Sequence, residues 1–169
     1  SLFTPHGITD KSRFATALRE SLAKLCHLLG NESPVPCHRD YMVRNLIPVH
    51  PHPLLAVIDH QDLRLGPRYY DLASLLNDSL FPRPEIEEEI LGRQFGHHSE
   101  ERVRYHRAAA QRTLKAVGTY ETFALRGYER HRKLIAPTLS RALHHLRCLP
   151  ETSALTGELE QHLRAEKIC

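Results

Sequence analysis

One stretch of the chain limits its fold more than any other: His38-Arg39-Asp40-Tyr41-Met42-Val43-Arg44-Asn45, with Asp59 following fourteen residues later. Between Asn45 and Asp59 lie two apolar runs of strand length, Leu46–Val49 and Leu54–Ile58, split by His50-Pro51-His52-Pro53. Runs of that length around a proline-rich turn predict a small β-hairpin. A hairpin returns the chain close to where it left, so Asp59 arrives near Asn45. A tight loop between Asp40 and Asn45 likewise brings an acid and an amide to one point. The pattern asks for two carboxylates and one amide gathered at the root of a hairpin.

On either side of the hairpin the periodicity is helical. Asp10 can cap a helix whose apolar positions Phe14, Leu18, Leu22, Leu25 and Leu29 recur at three and four, with Gly30 placed to end it. The stretch from Asn31 to Pro36 breaks helix with two prolines. From Arg68 onward, Tyr69 to Leu76 sets apolar residues on one helical face. Pro84 opens an acidic segment, Glu85 to Glu89, with acids in the first turn where the helix dipole favours them. A long amphipathic helix is predicted from Ser99 to Leu125, with Val103, Ala110, Leu114, Val117 and Tyr120–Glu121 toward the core. Pro137 suits the first turn of the next helix, which carries Leu139, Leu143 and Leu146, and a last helix runs from about Ser153 to Ala165. The fold class is mainly α with a small β-hairpin.

Composition narrows the function classes. With 169 residues, 41% hydrophobic and 25% charged, the chain holds one domain and is too short for two comfortable ones. The 23 basic and 20 acidic residues are interspersed, so the net charge of +3 marks no basic stripe, and no nucleic-acid partner is expected. No apolar run approaches the roughly 18 residues that span a bilayer, and nothing resembles a signal peptide. No membrane partner is expected, and the chain reads as cytoplasmic. Cys26, Cys37, Cys148 and Cys169 form no C-x-x-C pair, which fits unpaired thiols in a reducing compartment. Cys26-His27 and Cys37-His38 lack the ligand spacing of a structural zinc site.

The chemistry rests on Asp40, Asn45 and Asp59. His38 to Asn45 fits H-R-D-x-x-x-x-N, the catalytic-loop pattern of protein kinases. There an acid meets the acceptor hydroxyl, while an amide oxygen five residues on reaches back to a magnesium on the phosphates. Asp59, after an apolar strand, stands where such enzymes place the second metal ligand. Magnesium prefers oxygen ligands, and one amide plus one carboxylate leaves room for phosphate oxygens and water. Gln61, Asp62 and Arg64 follow at once. They are either hydrogen-bonding partners for an acceptor's hydroxyls or turn-forming surface groups.

The run His38 to Asn45, then Val57-Ile58-Asp59-His60-Gln61-Asp62, then Gly66-Pro67-Arg68-Tyr69-Tyr70-Asp71-Leu72-Ala73-Ser74-Leu75-Leu76, resembles the aminoglycoside phosphotransferase family. Within it the likeness is to bacterial cell-wall amino-sugar kinases, which phosphorylate N-acetylmuramate and N-acetylglucosamine at the anomeric carbon. The block Gln111 to Tyr120 is similar to a further block of theirs. The resemblance implies the C-terminal lobe of the protein-kinase-like fold over residues 1–169, with ATP and Mg2+ as cofactors and a sugar as substrate. It implies that Asp40 orients or deprotonates the sugar hydroxyl, and that Asn45 and Asp59 hold the magnesium-nucleotide. Asp71 is implied to hydrogen-bond the catalytic loop from the start of a helix, and His38 to brace that loop. His60 departs from the aromatic residue more common at its position, a change that touches strand packing and leaves the ligand Asp59 intact.

The family also needs an N-terminal lobe with a phosphate-covering loop and a lysine on a strand. The 37 residues before His38 contain only Gly7 and Gly30 and read as one helix and a loop, with Lys11 and Lys24 as solvated charges. The expectation is a kinase-like lobe whose ATP-binding N-terminal lobe is absent from this chain and which is inactive alone. Apolar surface left uncovered at the hinge is expected to favour a homodimer. Two other readings stay open: a kinase-like binding or scaffold module without activity, and a phosphotransferase for an aminoglycoside or choline-like acceptor. An aminoglycoside pocket must be acid-lined to meet several ammonium groups, and Glu85 to Glu89 are the acids at hand.

Overall fold

Among the residues described by the computed structural model, 13–51, 54–78 and 81–165, six α-helices and four short strands follow one another along the chain. They are α1 (Arg13–Gly30), β1 (Val35–Cys37), β2 (Leu46–Val49), β3 (Leu54–Val57), β4 (Arg64–Gly66), α2 (Tyr70–Leu76), α3 (Pro84–Phe95), α4 (Ser99–Leu125), α5 (Arg132–Arg147) and α6 (Ser153–Ala165). The cap read at Asp10, the side chain of Phe14, the charge at Lys11, the turn residues His52 and Pro53, and Cys169 lie outside the described residues.

Helix α4 is the axle. Its 27 residues make a rod about 40 Å long at 1.5 Å per residue. One side carries Ala110, Leu114 and Val117 into a cluster with Leu25 of α1, Leu139, Leu143 and Leu146 of α5, and Leu155 and Leu159 of α6. The other carries Tyr105, Ala108 and Ala109 into a second cluster with Leu29, Tyr69, Ala73, Leu76, Leu91 and Phe95. The consecutive buried alanines Ala108 to Ala110 let neighbouring helices approach closely. Each fully buried leucine contributes about 1.5–3 kcal/mol, so the two clusters fix α1, α2, α3, α5 and α6 around α4.

The hairpin forms as the sequence predicts, with Leu46 opposite Val57 and Val49 opposite Leu54. A second antiparallel pair was not expected: β1 joins β4 with Val35 opposite Gly66 and Cys37 opposite Arg64. The proline-broken stretch therefore ends in a strand. Pro36 is tolerated there because in a two-stranded ladder each strand has one edge that donates to no partner. Gly66 is suited to the close approach, since a Cβ there would meet Cys37 Sγ at 3.2 Å. Pro137 also differs from its expected place. It lies inside α5, past the first turn, where it removes one i to i−4 bond. The burial of Thr138, Leu139, Ala142, Leu143 and Leu146 around it offsets that loss.

A polar network ties α2, α3, α4 and α5 together inside the core. Arg141 and Glu87, both mostly buried, form an ion pair at 2.6 Å, and the Tyr105 hydroxyl donates to Glu87 Oε1 at 2.9 Å. Asn77 Oδ1 accepts from Arg141 Nη2 at 2.9 Å and from His145 Nε2 at 2.8 Å. Because that oxygen can only accept, His145 carries its proton on Nε2. Its Nδ1 then accepts from His106 Nδ1 at 3.0 Å. Burial, followed by the nearby His144, pushes His106 down to about 4. Burial, followed by Arg141, also holds His145 well below the usual range.

Two outcomes follow from this network. Glu87→Ala leaves the Arg141 charge buried without a partner and should cost about 3–5 kcal/mol, measured by urea unfolding. For pH, a base with a depressed folded value takes up protons more readily in the unfolded chain. Stability is therefore full above pH 6.5 and is lost as pH falls from 6.5 toward 4, with His106 contributing on the order of 3 kcal/mol. Thermal melts between pH 7 and 4.5 should show that decline, and His106→Asn should flatten it; a pH-independent melt would contradict the assignment.

Candidate active site

Asp40 stands in the loop after β1, and the backbone on its N-terminal side is strained. Among the described residues, only Arg39 and Asp59 are non-glycine residues with positive φ, both at 70°. The left-handed region costs an L residue about 1–2 kcal/mol, so something must hold each in place. For Arg39 it is Asp71, at the start of α2. Its carboxylate accepts from the backbone N–H of His38 at 2.6 Å and of Arg39 at 2.9 Å. For Asp59 it is the root of the hairpin, where Ile58 N donates to Asn45 O at 3.0 Å and Ile58 O accepts from His38 Nε2 at 2.8 Å. The carbonyl fixes the His38 proton on Nε2, and His38 Nδ1 is buried without a partner.

His38 thus joins the loop that carries Asp40 to the strand end that carries Asp59. Its ring also meets those of Tyr41 and His60 edge-on, with centroids 6.0 Å away in each case. His60 thus supplies an aromatic contact to the His38 ring. Asn45 is buried at the end of a short 3-10 turn, Val43–Asn45. Its Nδ2 donates to the Asp40 carbonyl at 2.8 Å, which leaves the amide oxygen for a ligand.

The donor set fits magnesium. Asn45 offers a neutral amide oxygen, and Asp59 is exposed with no hydrogen bond or ion pair to its carboxylate among the described residues. No cluster of three or more histidine, cysteine or acidic side chains able to hold a metal occurs among the described residues. Asn45 and Asp59 would therefore share the ion with phosphate oxygens and water, as a hard cation that keeps part of its hydration allows.

Sequence reasoning did not single out Arg44, whose Nη2 donates to Asp40 Oδ2 at 2.9 Å. No helical spacing signals the pair, because Asp40 lies in an irregular loop. The two side chains are 38% and 64% exposed, and an exposed pair is worth about 0.2–1 kcal/mol. An acceptor hydroxyl can displace it. Gln61 and Asp62 stand exposed in a 3-10 turn after Asp59, while Arg64 opens β4 and turns to a different place. With Arg39, Tyr70, Gln111 and Lys115 it lines a cleft of about 350 Å³ beside the loop that carries Asp40. Three of the acids of α3 face arginines instead. Glu87 pairs with Arg141, Glu88 with Arg102 and Glu89 with Arg93, each at 2.6 Å.

Comparison with known proteins matches this geometry to a family. The sequence profile of the phosphotransferase enzyme family fits residues 9–109, more than half of the chain and all of the loop, hairpin and α2. The chain belongs to the phosphotransferase enzyme family. It is similar to the N-acetylmuramate/N-acetylglucosamine kinase of Pseudomonas aeruginosa, with 33% identity over 129 residues, 69% of this chain and 34% of that relative. The chain spans about a third of the length of the curated relative it matches. No helix among the described residues is long and apolar enough to cross a membrane.

In this member of the family, Asp71→Ala should free the His38 and Arg39 amides. Leaving two partly buried donors unpaired costs about 1–3 kcal/mol each. Amide hydrogen exchange at those two residues should accelerate at least tenfold, with helices α4 and α5 unchanged. Retained protection would show that Asp71 does not hold the loop.

Proposed function

We propose that the chain is the catalytic lobe of an ATP-dependent phosphotransferase that phosphorylates a hydroxyl of an amino sugar. The observation that carries the reading is the coincidence of strain with chemistry. Among the described residues, the left-handed non-glycine residues are Asp59 itself and the neighbour of Asp40, and strained backbone persists where the surroundings over-determine it, most often at functional sites. The kinship with a kinase named for N-acetylmuramate and N-acetylglucosamine supports the sugar.

In this reading Asp40 gives up Arg44, accepts the proton of the acceptor hydroxyl and aims its oxygen. Asn45 and Asp59 hold magnesium, which when bound supplies charge neutralisation on the transferring phosphoryl group. Asp71 and His38 keep the three groups in register, which matters because phosphoryl transfer relies on positioning and electrostatics.

Nucleotide would be held by a further lobe outside these residues. Its seat is the apolar hairpin together with β4: Leu54 and Leu55 of the hairpin and Leu65 of β4 are 61%, 58% and 71% exposed, and Ile47, Ile58 and Leu63 are exposed as well. An exposed two-stranded ribbon is marginal alone, so a covering lobe, or a second copy of the chain, would stabilise it. An aminoglycoside acceptor is disfavoured because three of the four acids between Glu85 and Glu89 are paired with the protein's own arginines.

The test is transfer of labelled phosphate from ATP to N-acetylglucosamine and N-acetylmuramate by the protein of the complete reading frame. Asp40→Asn should lower kcat by at least about 10²-fold, the low end of what a positioned base contributes. Absence of transfer to any N-acetylated amino sugar refutes the substrate assignment.

A further inference from the structure

The cleft beside the catalytic loop has a charge pattern that the proposed chemistry leaves unused. Three of its lining residues are cations: Arg39, from the loop itself, Arg64 on β4 and Lys115 on α4. Elsewhere the arginines of α3, α4 and α5 are largely neutralised, by Glu89 for Arg93, Glu88 for Arg102, Glu100 for Arg104, Glu151 for Arg107 and Glu87 for Arg141. No carboxylate pairs with Arg39, Arg64 or Lys115 among the described residues. The nearby acid, Asp71, already has both carboxylate oxygens engaged by the His38 and Arg39 amides. Burial, followed by that carboxylate, pushes the Cys37 thiol up, so it lines the cleft uncharged.

Three unpaired cations converging on one concavity repel one another and gain by taking up an anion. The rest of the lining calls for more than a bare ion. The Gln111 amide oxygen is buried without a donor, and turned toward the cleft that the residue lines it would accept from a ligand's N–H or O–H. Tyr70 offers an aromatic wall. A volume of about 350 Å³ falls within the range of small-molecule pockets, about 300–1,000 Å³. A polycationic acceptor is excluded by the sign of the charge.

We propose that this cleft is the subsite that reads the acceptor's carboxylate, so that the chain prefers an acidic amino sugar over its neutral counterpart. This rests on the phosphotransferase reading above. Arg64 and Lys115, aided by Arg39, receive the carboxylate, while Gln111 accepts from an amide or hydroxyl of the sugar. Adjacent Cα atoms are about 3.8 Å apart, so Arg39 ties the subsite to Asp40 within one residue. Anion binding therefore positions the acceptor relative to the base.

Titration calorimetry on the 169-residue chain tests this without nucleotide. The probes are N-acetylmuramate, N-acetylglucosamine, lactate and inorganic phosphate. N-acetylmuramate should bind at least tenfold more tightly than N-acetylglucosamine, and the preference should shrink as NaCl is raised. Arg64→Gln and Lys115→Gln should each reduce that ratio severalfold; Lys115 is an exposed helical residue whose replacement leaves the fold intact, which a circular-dichroism melt verifies. Equal binding of the two sugars, binding of neither, or an unchanged ratio in both variants overturns the proposal. Lactate or phosphate binding as tightly as N-acetylmuramate also overturns it, since the cleft would then serve free anions. Wild-type protein that phosphorylates N-acetylglucosamine but binds both sugars alike sinks the subsite alone. A tenfold acid preference with transfer to neither sugar sinks the phosphotransferase reading and leaves the subsite standing.

Discussion

The carboxylate of Asp71 accepts from two consecutive backbone amides, His38 and Arg39, and most of the site hangs from that bridge. Without it Arg39 has no reason to stay left-handed, and the side chain of Asp40 loses its aim. The bridge is only as firm as α2, which has seven residues, too few to be stable in isolation. What holds α2 is its other end. Ala73 and Leu76 are buried, and Asn77 at the C-cap accepts from Arg141 and His145. Arg141 in turn pairs with Glu87. A two-turn helix thus hands the rigidity of the helical core to the loop that carries Asp40, through one polar side chain at each end, Asn77 and Asp71.

This arrangement explains why a core of leucine and alanine also contains buried charge. A buried ion pair is weak evidence for stability, because desolvation offsets much of its attraction. Its effect here is on orientation. Leucines can slide against one another with little penalty, whereas Asn77, Tyr105, Glu87, Arg141 and His145 satisfy each other in one register only. That register sets where α2 begins, and so where Asp71 lies.

How much of this could be read from residues alone depends on the range of the interaction. The hairpin, α4 and the loop-and-acid pattern are local, carried by periodicity and spacing within a few residues of each other, and they appear at the expected places. The β1–β4 pair joins three-residue strands across 27 residues, and no propensity favours a strand containing Pro36. Pro137 was placed at a helix start because proline prefers the first turn, yet packing of α5 against α4 carries the helix back to Arg132. The Asn77 network and the cleft are non-local as well. Gln111 and Lys115 were recognisable as part of a similar block, but nothing in the sequence says that they face Arg39 and Arg64.

Charge gives the sharpest instance of that limit. The 23 basic and 20 acidic residues look evenly mixed along the chain, and from that mixture alone the acids of α3 are as plausible a binding surface as any arginine. Folding breaks the symmetry by deciding which charges meet. On α3 and α4 the opposite signs fall four apart or face each other across the helix pair, and they cancel. Around β4 and the loop, the pairing of Cys37 with Arg64 brings cations from three segments together, none of them paired with a carboxylate among the described residues. The groups of the proposed chemistry and those of the proposed selectivity then sit on different supports. Asn45 and Asp59 belong to the hairpin root, Arg64 and Lys115 to β4 and α4, and Arg39, which lines the cleft, is the chain neighbour of Asp40. Such a division lets the reading of the acceptor change through β4 and α4 while the geometry of phosphoryl transfer stays fixed by Asp71.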